Sequence, residues 1–162
     1  MDNQRIIISG IVGGLIAAIL NSVPFLNLIN CFCCIGIMFG GAVALYYYDR
    51  TFEFPEYINL PNSVTVGIAA GILGAFISLI IEWIIYINFG HWELEFLKEL
   101  TYKMDEVPPI IDEVINELEN ESHRGFLFGQ IMLRNLIVMP IFCLSGSLIT
   151  RVFLNKNRVE EI

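Results

Sequence analysis

Four long apolar runs, separated by polar connectors, set the expected fold of this 162-residue chain. The runs cover about Arg5–Val23, Leu28–Tyr48, Val64–Phe89 and Gly125–Phe153. A helix of about 20 apolar residues crosses a hydrocarbon layer of ~30 Å. The first run also resembles a signal peptide, but no small-residue cleavage site follows it, which favours a retained helix. We therefore predict an all-α integral membrane protein, a four-helix bundle that forms a single membrane domain over residues 1–162.

The composition supports this class of fold and excludes others. Apolar residues make up 56% of the chain and charged residues 16%, against roughly 45–50% and about 25% in soluble domains. The apolar runs use most of the chain, so no separate soluble catalytic domain is expected. The formal net charge of −8 excludes the basic surface by which proteins bind nucleic acid.

The third and fourth runs are separated by an acidic segment, His91–Arg124. It holds ten of the 17 acidic residues and only three basic ones, so it carries seven of the eight net negative charges. Val107-Pro108-Pro109 divides the segment, and apolar residues on either side recur at helical spacing. The apolar positions are Trp92, Phe96, Leu97, Leu100 and Met104, then Ile110, Ile111, Val114, Ile115 and Leu118. We predict an extramembrane hairpin of two amphipathic helices.

The distribution of basic residues predicts the orientation in the membrane. Basic residues close to the ends of spans favour the cytoplasmic side. With four spans, both termini and the 49–62 loop share one side and hold five basic residues, against three in the acidic segment. The five are Arg5, Arg50, Arg151, Lys156 and Arg158. We predict a multi-pass protein of the cell membrane with cytoplasmic termini and an extracytoplasmic segment 91–124.

Small residues recur four positions apart in three of the runs. Such stripes let two helix backbones approach closely. Close packing matters in a membrane because the hydrophobic effect does not drive helices together in lipid. The glycine pairs are Gly10 and Gly14, Gly36 and Gly40, and Gly67 and Gly71. We interpret them as positions of helix packing within one bundle, and a remaining face would allow a homo-oligomer.

Glu82 and Arg134 are the ionisable residues inside the predicted spans. Glu82 lies seven residues before Phe89, and Arg134 lies nine after Gly125, so both fall ~10–14 Å from the same end. An isolated charge deep in a bilayer costs at least ~2.5–3.5 kcal/mol. We predict an intramembrane ion pair between them, with Asn135 nearby; the alternative is that each side chain reaches separately to the interface.

Three cysteines, Cys31, Cys33 and Cys34, lie between the first two runs. Thiolates in a C-x-C-C string bind soft metals, but no histidine or second cysteine pair lies nearby. Cys143 lies about 27 Å along the fourth run, too far for a disulfide. The simplest interpretation is a structural role as small, packable residues; acylation and metal binding are the alternatives.

The string Asn27-Leu28-Ile29-Asn30-Cys31-Phe32-Cys33-Cys34, together with Val23-Pro24, Gly40-Gly41 and the Gly67–Gly74 span, resembles an uncharacterised family of small four-helix prokaryotic membrane proteins. The resemblance covers roughly residues 10–48 and part of the third run. It implies a membrane-embedded helical bundle and brings no known activity. The acidic segment lies outside it.

His91 and His123 stand at the two ends of the acidic segment. If the segment is a hairpin they approach each other, and a divalent-metal site or a pH sensor is one interpretation. Interfacial polar residues are the simpler one. Motifs for nucleophilic catalysis, zinc proteases, phosphate loops or dinucleotide binding do not occur in the sequence, so we predict neither an enzyme nor a cofactor.

Two functions follow from these observations. The first is a structural or accessory membrane protein, a subunit or scaffold that presents the acidic hairpin to a protein partner or to divalent cations, since clustered charge concentrates counter-ions. The alternative is a small oligomeric transporter or channel that uses the Glu82 and Arg134 pair. Whether those two side chains face water or a dry interior distinguishes them.

Overall fold

The structure, a computed structural model, describes residues 3–23, 26, 30, 34–51, 57–89, 98–99, 101, 103 and 124–160. In this part of the chain four long helices occur. They are α1, Asn3–Ser22; α2, Ile35–Thr51; α3, Leu60–Phe89; and α4, Arg124–Glu160. The predicted hairpin helices fall almost entirely outside the described residues.

The ends of the helices follow from local chemistry. α1 ends at Ser22 shortly before Pro24, which disfavours helical geometry in the residue preceding it. α3 begins at Leu60 with Pro61 in its first turn, where the missing N–H has no helical acceptor in any case. α4 continues through Pro140, which removes one hydrogen bond from the interior of that helix.

α2 differs from its predicted span. It begins at Ile35 rather than at about Leu28, and it is 17 residues long, which corresponds to about 26 Å. Cys34 precedes it with a φ of 56°, a left-handed conformation that interrupts a right-handed helix. Its N–H donates to the carbonyl of Asn30 at 2.9 Å. The apolar composition of residues 28–34 concealed this break.

The four helices pack in the order α1, α2, α4, α3 around the bundle. α1 contacts α2 and α3, and α4 contacts the same two helices, while α2 and α3 make a smaller contact across the bundle. Neighbours α1 and α3 are parallel, because Gly14 meets Gly74 and Ser22 meets Ser78. α2 and α4 are also parallel. The arrangement therefore consists of two helical hairpins placed side by side.

The helices differ in length, so the bundle has a step at one end. The last turn of α1 lies beside Ser78 of α3, yet α3 continues to Phe89, about 16 Å further along its axis. We call this end, where α3 ends and α4 begins, the hairpin end. The opposite end, where α1 begins and α4 ends, is the terminal end.

Many interior positions hold small residues, and many large apolar residues face outward. Ala17, Ala44 and Ala70 are fully buried, whereas Ile80, Ile87 and Phe153 are more than 60% exposed. A bundle in lipid has this distribution, because lipid solvates large apolar side chains and only close contact joins the helices.

Three helices contain segments long and apolar enough to cross a membrane: Asn3–Ser22, Leu60–Ile85 and Met132–Arg158. The chain is therefore a small multi-pass membrane protein with an all-α, four-helix fold. α2 is the shortest of the four helices.

Candidate functional site

The main polar site of the described structure lies where the last turn of α1 meets α3 and α4. Ser78 and Glu82 lie four residues apart on α3, and therefore on one helix face. Asn21 Nδ2 donates to Glu82 Oε1 at 3.3 Å, and Ser78 Oγ donates to the same oxygen at 3.1 Å. Asn135 Nδ2 of α4 lies 3.1 Å from Oε1 and 3.3 Å from Oε2. One carboxylate thus receives hydrogen bonds from three helices.

Ser78 links the same helices a second time. Its Oγ lies 2.7 Å from Ser22 Oγ and accepts a hydrogen bond of 3.0 Å from Asn21 Nδ2. Asn135 Nδ2 approaches it at 3.5 Å. Ser22, Ser78 and Asn135 are buried, while Glu82 is half-buried. We call Asn21, Ser22, Ser78, Glu82 and Asn135 the Glu82 cluster.

The residue of α4 whose hydrogen bonds to Glu82 are described is Asn135. The ion pair between Glu82 and Arg134 stays a prediction. Arg134 is exposed, and its neighbour Asn135 faces Glu82. Successive residues of an α-helix point about 100° apart, so only one of the two can face the interior. At this depth of α4, the buried residue that contacts Glu82 is Asn135.

Sequence reasoning also missed the contribution of α1 and the role of Ser78. A signal for both was present. Ser78 precedes Glu82 by one helical turn, and Asn21-Ser22 ends the first apolar run. Interhelical hydrogen bonds in membranes are commonly formed by polar side chains of this kind, at the end of one span or beside a charge in another.

A second polar site joins α4 to α2 and to Ile58 at the terminal end of the bundle. Arg158 of α4 forms an ion pair with Asp49 of α2, and Asp49 is 5% exposed. Asn155 of α4 accepts a hydrogen bond from the Ile58 N–H at 3.0 Å and donates one to the Ile58 carbonyl at 3.2 Å. The Arg151 Nε donates to that carbonyl at 2.9 Å. The end of α4 thereby fixes α2 and the approach to α3.

The six predicted glycines all lie close to atoms outside their own helix. A Cβ added at Gly40 would lie 2.5 Å from the Ala17 Cβ, and one at Gly14 would lie 2.8 Å from the Ala70 carbonyl. The other four positions are similarly close: Gly10 to Ala69, Gly36 to Asn30 and Leu20, Gly67 to Leu144 and Ser147, and Gly71 to Pro140. These positions leave little space for a side chain.

The closest approach joins α2 to α4. A Cβ on Gly41 would overlap the carbonyl of Cys143, and a Cβ on Gly146 would overlap the carbonyl of Met38. The two contacts are reciprocal, with a glycine of each helix against a backbone carbonyl of the other. Gly146 belongs to none of the glycine pairs that the sequence predicts.

Two cysteines, Cys34 and Cys143, lie within the described residues. Cys143 is buried against α2, where its thiol donates to the Ile37 carbonyl at 3.4 Å. Cys34 packs partly against the core. Cys31 and Cys33 lie outside the described residues, so a role for the whole string stays a prediction.

The left-handed backbone conformation of Cys34 leads to a prediction about stability. A left-handed conformation costs a non-glycine residue roughly 1–2 kcal/mol, and glycine adopts it without that cost. We expect Cys34→Gly to melt at a higher temperature than Cys34→Ala in detergent, although alanine retains more of the side chain. Equal melting temperatures, or a lower one for the glycine variant, would contradict strain at this position.

The acidic segment is described at few positions. Lys103 donates a 2.9 Å hydrogen bond to the Glu99 carboxylate, one helical turn away, and lowers the pKa of that exposed carboxyl. His91 and His123 lie outside the described residues, so a site between them stays a prediction. Among the residues that are described, no group of three His, Cys, Asp or Glu side chains is placed to hold a metal ion.

Comparison with protein-family models, curated proteins and solved structures finds no match for this chain. The resemblance suggested by the cysteine string therefore stays a prediction.

Proposed function

We propose that this protein is a structural or accessory membrane component, a scaffold that holds the acidic segment 91–124 at the hairpin end of a rigid bundle. In this proposal α2 also lies within the membrane, which gives four spans. The termini are cytoplasmic and the acidic segment is extracytoplasmic, where it binds a protein partner or divalent cations.

The observation that carries the proposal is the joining of α3 to α4, the two helices from which the segment extends. Asn135 binds Glu82 near the hairpin end, and a Cβ on Gly71 would meet Pro140 midway. Towards the terminal end, Ser63 Oγ lies 3.1 Å from Ser147 Oγ, and Ser147 Oγ donates to the Ser63 carbonyl at 2.8 Å. Contacts from Ser63 to Glu82 of α3 hold together the two helices that lead to the segment.

The close contacts also favour a scaffold over the alternative of a transporter or channel. At Gly13 and Gly40, and again at Gly41 and Cys143, the neighbouring helices leave less than the width of a side chain between them. Buried polar groups such as Ser63 and Ser147 form hydrogen bonds with each other rather than facing a channel. If the protein were a transporter, its substrate would have to pass between copies of the bundle, because the helices within one bundle are in close contact.

The test replaces residues 92–122 with a flexible glycine-serine linker. We expect the shortened protein to keep the melting temperature of the full chain in detergent, because the bundle contacts remain, and to lose the partner that crosslinks to the full chain in membranes. A matched variant that changes the ten acids of the segment to Asn or Gln separates charge from length. A full chain that purifies as a monomer, without a crosslinked partner or bound divalent cation, would contradict the proposal.

The orientation has an independent test. Single cysteines placed in segment 91–124, on a chain whose native cysteines are replaced by serine, are expected to react with a membrane-impermeant maleimide on intact cells. Cysteines placed after Arg158 should react only after the cells are opened. The reverse pattern would invert the orientation.

A further inference from the structure

Arginines from different helices lie at one level near the terminal end of the bundle. Ser22 of α1 and Asn135 of α4 both contact Ser78, which gives these two helices a common reference level. Arg5 lies 17 residues before Ser22 on α1. Arg151 lies 16 residues after Asn135 on α4. Both arginines are therefore ~24–26 Å from the reference level, in the direction of the terminal end.

α2 contributes a third arginine to this level. Gly41 of α2 lies against the backbone of Cys143 of α4, and the two helices are parallel. Arg50 lies nine residues after Gly41. Arg151 lies eight residues after Cys143, so the two arginines are ~12–14 Å from this contact on the same side. We call Arg5, Arg50 and Arg151 the arginine layer.

The acid next to Arg50 in sequence is already matched by a base outside the arginine layer. Asp49 is 5% exposed and forms an ion pair with Arg158 of α4. Its charge is thus compensated within the bundle. Arg50 itself is exposed, whereas Arg5 and Arg151 are half-buried. Arg50 therefore presents a positive charge on the outer surface of the bundle.

The side chain of Arg50 is held against the outer face of α2. Its guanidinium carbon lies 5.6 Å from the centre of the Tyr46 ring, one helical turn earlier. A contact with an aromatic ring leaves guanidinium N–H groups able to bind two oxygens of one phosphate. Large apolar side chains against which acyl chains can pack are exposed at the same end of α1 and α4: Ile7, Ile8, Val152 and Phe153.

We propose that Arg50, supported by the other two arginines of the layer, binds the headgroup phosphate of an anionic phospholipid. Clustered basic side chains at a membrane surface attract anionic lipids. The distance of ~24–26 Å between the arginine layer and the level of Ser78 is comparable to a hydrocarbon layer of ~30 Å, so the arginines lie at the depth of headgroups. The inference uses the proposed placement of α2 in the membrane but not the role of segment 91–124, so the two proposals fail separately.

The experiment is native mass spectrometry of the delipidated full chain in detergent, with equal amounts of phosphatidylglycerol and phosphatidylcholine of the same acyl chains. We expect the protein to retain phosphatidylglycerol at least about fivefold better than phosphatidylcholine. Arg50→Gln should lower phosphatidylglycerol binding by about fivefold, which corresponds to about 1 kcal/mol, the contribution of one basic residue at a membrane surface. Lys103→Gln removes one exposed positive charge outside the arginine layer and should bind as the unmodified protein does.

A melting measurement separates loss of the site from loss of the fold. A ligand that binds only the folded state raises its melting temperature, so phosphatidylglycerol should raise it more than phosphatidylcholine does. This difference should shrink in Arg50→Gln and in Tyr46→Leu, which removes the ring. Equal retention of the two lipids, as expected if Glu53 and Glu56 neutralised the arginines, would overturn the assignment. So would equal losses of phosphatidylglycerol from Arg50→Gln and Lys103→Gln, or its displacement by millimolar inorganic phosphate.

Discussion

Replacing Gly41 with leucine is expected to separate α2 from α4 and to prevent recovery of a folded, monodisperse protein from detergent. The first atom of any side chain at this position overlaps the backbone carbonyl of Cys143, and a backbone group cannot rotate away as a side chain can. Even Gly41→Ala should be destabilising. Overpacking typically costs 1–3 kcal/mol, and we expect a value of about 3 kcal/mol because the obstacle is backbone.

Gly129 supplies the matched control. It lies on α4, and an added Cβ there would meet nothing within 4 Å. Gly129→Ala is expected to be neutral or to stabilise the protein by up to about 1 kcal/mol, the usual gain in helix propensity. Unfolding by SDS titration, followed by circular dichroism, measures both variants. If Gly41→Ala and Gly129→Ala unfold alike, the α2–α4 contact does not determine stability.

Removing the charge of Asp49 is the second large effect that we expect. Asp49 is 6% exposed in its side chain and Arg158 is 23% exposed, so Asp49→Asn removes a buried carboxylate from beside a partly buried guanidinium. Breaking such a pair from one side costs about 3–5 kcal/mol. The melting temperature of Asp49→Asn should therefore fall well below that of the unmodified protein.

A double-mutant cycle checks the cause. Because the two side chains form one ion pair, Asp49→Asn combined with Arg158→Gln should be less destabilised than the two single effects together. Residues in direct contact typically show coupling of 0.5–3 kcal/mol. Arg50→Gln removes a basic charge from the next position of α2, where Arg50 stacks over Tyr46 at 5.6 Å, and should change stability by at most ~1 kcal/mol. Strict additivity of Asp49 and Arg158 would contradict a coupled pair.

The sequence predicted where helices lie better than how they are rotated. α1 matches its predicted run to within one residue at its end, and α3 and α4 contain theirs, because length and apolar composition alone define a membrane helix. The start of α2 was missed, since the break at Cys34 arises from a backbone conformation that apolar composition does not report. The order of the helices around the bundle was also beyond prediction, because glycine stripes identify contact faces and not the helices that meet there.

The sequence contains a sign that Asn135, rather than Arg134, faces the interior of the bundle. Asn135, Met139, Cys143 and Ser147 are spaced four apart, and all are at most 2% exposed. A stripe of small or weakly polar residues along α4 marks its interior face, and extending that stripe towards the hairpin end reaches Asn135. The expectation that opposite charges pair inside a membrane outweighed this periodicity.

The step at the hairpin end has a consequence for the lipid around the protein. The apolar segment Leu60–Ile85 of α3 is ~39 Å long, whereas the neighbouring span Asn3–Ser22 is ~30 Å long, so two sides of the bundle match bilayers of different thickness. Tilting of the bundle or local thinning of the bilayer resolves such a mismatch, at a fraction of a kcal/mol per Å. The protein thus presents an asymmetric hydrophobic belt, which makes its tilt and its preferred neighbours depend on acyl-chain length.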